Sequence, residues 1–214
     1  MSYDIAKPIV AEGKQGATTH ESILERLPTQ CSIPGYWPSL AQNTEDWAPV
    51  VSASPLWRNA NTQLESWQKE YRREIGGTLF VGPSLPPFVG KSEARIKEKT
   101  IEKIRRAQNA EDEIRRLFDQ QVPVPGLEDL VRARLTVQFL DGVPFLANRL
   151  FHLANELGLS PQIEAKGSLN GYFAQHLTFR SQVFFRFGAG AATPCYVTCE
   201  VQIATALAKH VWEN

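Results

Sequence analysis

Residues 195–214, CYVTCEVQIATALAKHVWEN, begin with an alternation that reads as a β-strand. Cys195, Val197, Cys199, Val201 and Ile203 fall on one face, and Tyr196, Thr198, Glu200 and Gln202 on the other. An ionised Glu in mid-strand costs free energy unless it meets a metal, a cation or a substrate hydroxyl. The strand therefore predicts a sheet with one apolar and one polar surface, and Glu200 marks where on the polar surface chemistry is to be sought.

Two further segments share this habit. VRARLTVQFL (131–140) sets Val131, Ala133, Leu135, Val137 and Phe139 opposite Arg132, Arg134, Thr136 and Gln138. Residues 176–187 set Leu177, Phe179, Ser181, Val183 and Phe185 opposite His176, Thr178, Arg180 and Gln182. Between the strands the apolar period lengthens to that of helices. Helices are predicted from Trp57 to Ile75, stopped by Gly76-Gly77, over 92–118, and over 143–157, stopped by Gly158. Residues 78–81 and 162–166 read as short strands, 82–90 and 167–171 as loops, and 205–213 as the start of a helix. Residues 1–55 are rich in Pro, Gly, Ser, Thr and Ala and weakly periodic, and predict an irregular arm with short helices. Trp37, Trp47 and Trp57 recur ten apart, but the residues between them do not repeat. The fold class is α+β, a mixed sheet flanked by helices behind an irregular N-terminal arm.

Composition narrows the setting. Hydrophobic residues make up 43% and charged residues 21%, as in ordinary globular proteins. Twenty-three Lys and Arg balance twenty-three Asp and Glu, so the net charge points to no partner. No apolar run is long enough to span a bilayer, so no membrane partner is expected. Three cysteines build no disulfide framework, and their odd number suits a reducing, cytoplasmic setting. Cys195 and Cys199 share the apolar face without another ligand type beside them, which favours packing over metal binding.

If the apolar faces pack on helices, Arg134, His176, Glu200 and Gln202 share one surface, and Asp129 lies just before the first strand. Two carboxylates among cations suit Mg2+, which takes hard oxygen ligands and keeps positions for substrate phosphates. The structural alternative has Asp129 capping a strand and Glu200 paired with Arg134. Residues 91–106 carry seven basic side chains (Lys91, Arg95, Lys97, Lys99, Lys103, Arg105, Arg106) against three acidic ones. Cations at a helix start suit polyphosphate; the alternative is a solvated helix face with ion pairs to its own Glu residues, which would take Lys99 and about half of the others. Tyr172, four residues before His176, suits stacking on a nucleobase or plain core packing.

Four segments in this order, RIKEKTIEKIRR (95–106), EDLVRARLTV (128–137), KGSLNGYFAQH (166–176) and EVQIAT (200–205), resemble the synthetase domain of RelA/SpoT-type alarmone synthetases, above all the small single-domain members. The resemblance runs over about residues 60–214. It implies a nucleotidyltransferase-like sheet and an Mg2+-dependent transfer of the β,γ-pyrophosphate of ATP to the ribose 3′-hydroxyl of GDP or GTP, making (p)ppGpp. By the resemblance Arg95 and Lys97 grip ATP phosphates. A further cation is supplied by Lys103, Arg105 or Arg106, where the spacing is one residue short. Asp129 binds Mg2+ and Arg134 completes the ATP site. Lys166 and His176 lie near the acceptor phosphates, and Tyr172 stacks on the acceptor base. Glu200 binds metal and takes the proton, flanked by Gln202. Three positions depart from the family pattern: Arg132 for a small residue, Ala174 for Ser and Ala204 for Arg. These bear on the acceptor rather than on the carboxylates. A toxic branch of the family modifies the 3′ end of tRNA, and another branch makes adenosine alarmones. A toxin of this kind would have a neutralising antitoxin partner. A catalytically degenerate nucleotide-sensing or partner-binding module is the alternative outside enzymes. The implied domain is 56–214, cut short at its C-terminal end.

Overall fold

The computed structural model describes residues 23–80, 82–118, 124–167 and 173–207. The architecture is α+β, a five-stranded mixed sheet flanked by helices. Its helices are α1 (Tyr36–Ser52), α2 (Pro55–Ile75), α3 (Glu93–Arg106), α4 (Ala110–Leu117) and α5 (Gly142–Glu156). Its strands are β1 (Val89–Gly90), β2 (Val131–Val137), β3 (Gln162–Gly167), β4 (Phe173–Phe185) and β5 (Thr193–Thr205). The order across the sheet is β1-β2-β5-β4-β3. Only the β2–β5 pair is parallel; the others are antiparallel.

Local chemistry sets the element ends. The Ser54 hydroxyl accepts from the Trp57 N–H at the start of α2, Pro55 occupies its first turn, and Gly76 closes it with φ 86°. The spacing over 92–118 predicts one helix, whereas the structure breaks it after Arg106. Asn109 caps the second piece by accepting from the Glu111 and Asp112 N–H groups. Strand β2 ends at Val137, so Phe139 turns outward and is 47% exposed.

Within the expected irregular arm the structure holds a regular 17-residue helix, α1. Its buried residues Tyr36, Leu40, Asn43, Trp47 and Val51 recur at helical spacing. Ile23, Leu27, Leu40 and Val51 are buried in the same apolar cluster as Val131, Leu177 and Val201 of the sheet. Polar anchors fix α1 to the sheet: Asn43 Nδ2 and Trp47 Nε1 donate to the backbone carbonyls of Arg186 and Phe184. Gly90 of β1 lies so close to α1 that a Cβ there would stand 2.5 Å from the Thr44 carbonyl carbon. The odd-numbered residues of β2 and residues 195, 197, 199, 201 and 203 of β5 are buried, each fully buried large apolar side chain contributing about 1.5–3 kcal/mol. The even-numbered residues form the other face.

Candidate active site

Register brings the polar residues into rows. Arg132 lies opposite Glu200 and Arg134 opposite Gln202, across the parallel pair. On the other side of β5, Thr178 faces Glu200 and His176 faces Gln202. Beyond β4, Glu164 pairs with His176 and Lys166 with Ala174. Because the side-chain period of a strand is two, all of these stand on one surface.

Glu200 is 6% exposed. Its Oε2 lies 3.1 Å from His176 Nδ1, and its Oε1 accepts from Gln202 Nε2 at 2.5 Å. Burial pushes the carboxyl up, but the hydrogen bond and charge of His176 and the Gln202 bond outweigh it and hold the group below the usual carboxylate range. The negative charge of Asp129 acts the other way, so the two carboxylates feel one another. His176 Nε2 is buried without a hydrogen-bond partner among the described residues. Arg134 Nε reaches Gln202 Oε1 at 3.4 Å, so it touches Glu200's neighbour.

Asp129 is 3% exposed, and two ammonium groups converge on its Oδ2, from Lys91 and from Lys99 at 2.5 Å. Burial raises the carboxyl, and the two lysines override this to hold it below its usual range. Burial brings Lys91 down to about 8 despite Asp129. The other oxygen, Asp129 Oδ1, is buried with no hydrogen-bond partner among the described residues. An orphaned carboxylate oxygen of this kind costs free energy until something donates to it or coordinates it. Among the described residues no three metal-ligating side chains gather. A carboxylate oxygen with a second carboxylate nearby nevertheless fits Mg2+, which takes one or two protein carboxylates and completes its shell with water and phosphate.

The candidates named from sequence do not all converge. Lys97 pairs with Glu93 at 2.7 Å and lies 5.8 Å from the Trp37 ring centroid, so it serves the α1–α3 contact. Arg95 pairs with Glu98 and Arg106 with Glu102 on the exposed side of α3, and Arg105 is exposed on the same helix. Lys103 reaches toward Glu128 at 3.5 Å, beside Asp129. Lys166 pairs with Glu164 on β3. Tyr172 lies outside the described residues. Two cations that sequence reasoning did not assign, Lys91 and Lys99, hold Asp129. The signal available was the stripe Lys99–Lys103, four apart on the helix flank that meets residues 128–129. Arg132, set down as a departure from pattern, stands directly opposite Glu200.

A cleft of about 510 Å3 opens over this surface, floored by Glu200, His176, Thr178 and Thr198 and walled by Arg116 and Glu128. No helix of the described residues is long and apolar enough to cross a membrane. No family model and no curated protein matches the chain. Among solved structures the chain is similar to small alarmone synthetase 1 from Bacillus subtilis, at 16% identity and TM-score 0.44, over 84% of this chain and 76% of that one. It is also similar to a Streptococcus mutans protein, at 19% identity and TM-score 0.37, over 72% and 68% of the two chains.

Proposed function

We propose that this chain is an Mg2+-dependent pyrophosphokinase that moves the β,γ-pyrophosphate of ATP to the ribose 3′-hydroxyl of GDP or GTP. The observation that carries this reading is Glu200, a buried carboxylate kept ionised in the middle of a sheet face, braced by His176 and Gln202 and within electrostatic reach of Asp129. The four sequence segments of the alarmone synthetase resemblance add support, since three of them supply Asp129, His176 and Glu200.

In the reaction the acceptor oxygen bonds to the β-phosphorus, the bond from that phosphorus to the α,β-bridging oxygen breaks, and AMP leaves. Glu200 accepts the hydroxyl proton; because transfer of a phosphoryl-type group is loose, a weak base in the right place suffices. His176 and Gln202 fix both carboxylate oxygens so that little reorganisation is needed. Lys91 and Lys99 supply positive charge beside Asp129, where the donor phosphates are held in line. Asp129, with Glu200, would hold Mg2+, which would supply further positive charge to the donor phosphates.

Incubation with γ-labelled ATP, Mg2+ and, separately, GDP, GTP, ATP or bulk tRNA tests the proposal. Label on GDP or GTP is the expected result. Label on ATP or on tRNA alone would keep the chemistry and change the acceptor. Label on none would leave a nucleotide-binding module without turnover.

A further inference from the structure

Arg180 of β4 belongs to none of the groups above. It lines the cleft over Glu200 and also a second cleft of about 510 Å3, bordered by Ser54, Leu157, Gln182 and Tyr196, in which it is the only charged lining residue among the described residues. Its guanidinium carbon lies 5.3 Å from the centroid of the Tyr196 ring, and Tyr196 is 50% exposed. No carboxylate among the described residues pairs with Arg180. A guanidinium resting on an aromatic ring loses little of its N–H fork to the contact and is oriented by it, which suits a phosphate.

Register relates Arg180 to the reaction. Thr178 lies opposite Glu200 and Arg180 opposite Thr198, two residues further along the same face. That step is about 7 Å along the strand. In a nucleotide the 3′-oxygen and the 5′-phosphate hang from one ribose. A carboxylate that meets the first therefore needs its cation one short step away to meet the second. The lysines at Asp129 meet it beyond β2, whereas Arg180 stands on β4, one step along the face from the residue opposite Glu200.

Resting on the transfer reading above, we propose that Arg180, steadied by Tyr196, binds the 5′-phosphate of the acceptor nucleotide whose 3′-hydroxyl meets Glu200. The second cleft then takes what continues from that phosphate: the terminal phosphate of a free diphosphate, or the next nucleotide of an RNA 3′ end. Titration calorimetry of wild-type protein and of Arg180→Ala and Tyr196→Leu with GDP, guanosine, ATP and a short single-stranded RNA ending in a 3′-hydroxyl tests this. Wild type should bind GDP, or the RNA, at least about tenfold more tightly than guanosine. Arg180→Ala should abolish that margin, Tyr196→Leu should reduce it, and both should leave ATP affinity and thermal stability unchanged. A response of GDP assigns a free nucleotide as the source of the phosphate, and a response of the RNA alone assigns an RNA end. An unchanged margin in Arg180→Ala, or no phosphate-dependent margin in wild type, overturns the proposal. The two readings fail separately: a lost margin without label transfer by wild type keeps the phosphate site and removes the reaction, whereas transfer with an unaltered acceptor KM in Arg180→Ala does the reverse.

Discussion

Gly90 lies tight against the backbone of α1, and Gly90→Ala should weaken both the fold and the site. The added Cβ would stand 2.5 Å from the Thr44 carbonyl carbon and 2.6 Å from both the Thr44 oxygen and the Glu45 nitrogen. All three are backbone atoms of α1, so no side chain can rotate away and the helix or β1 must shift. Overpacking of this kind costs about 1–3 kcal/mol, and backbone opposition puts this case near 3. For a chain of this size, 3 kcal/mol lowers Tm by roughly 6–12 °C. The shift also reaches the chemistry, because the Thr44 hydroxyl donates to the Lys91 carbonyl at 2.9 Å and the Lys91 N–H donates to the Leu130 carbonyl at 3.0 Å. Moving α1 therefore moves the backbone that carries Lys91 to Asp129. Thermal unfolding by circular dichroism, with ATP KM measured alongside, reads both effects. Gly82→Ala is the control, since its Cβ would meet nothing nearer than 3.8 Å. A Gly90→Ala protein with wild-type Tm and wild-type ATP KM would refute the close α1–β1 contact and the path from it to Lys91.

Three further outcomes are expected. Asp129→Ala leaves Lys91 buried without its counter-charge and should lose about 3–5 kcal/mol in urea unfolding, most of it recovered in the Asp129→Ala/Lys91→Met double variant. Asp129 and Glu200 are both held below the carboxylate values of about 4 that they have when unfolded. Their contribution is therefore complete above that range and is lost as pH falls through the folded-state values, and the acid limb of stability should flatten in Glu200→Gln. Lys99→Ala should raise ATP KM about tenfold or more, since Lys99 meets Asp129, whereas Lys97→Ala, whose partners are Glu93 and Trp37, should change it by no more than about twofold.

The polar face was legible because a strand writes its two surfaces into alternate residues. Glu200, Gln202, His176 and Arg134 share a surface as their parity requires, and only the pairing partners had to come from the structure. Helix α1 was obscured although its buried residues keep helical spacing, because Pro38 and Pro49 and the buried polar pair Asn43 and Thr44 interrupt the apolar pattern. Asn43 and Thr44 are buried because they bond to backbone carbonyls far along the chain, of Arg186 and Lys91, and no local pattern reports such partners. Strand β1, two residues long, gives no period at all. Lys91 and Lys99 were hidden for the same reason: what distinguishes them from Arg95 and Lys97 is a tertiary contact with Asp129, not their spacing. The break after Arg106 did leave a sequence trace, Asn109 followed by Glu111, Asp112 and Glu113, the pattern of a new helix start.

The central claim is that Glu200 takes the proton in a pyrophosphate transfer from ATP. Its most direct measurement follows label from γ-labelled ATP into GDP or GTP, with AMP counted as co-product, for wild type and Glu200→Gln at equal folded fraction. Glutamine keeps the size and the contact with Gln202 but accepts no proton. Wild type should form AMP and labelled acceptor in equal amounts, and Glu200→Gln should be slower by about a hundredfold or more with ATP binding retained. Near-normal transfer by Glu200→Gln would contradict the claim.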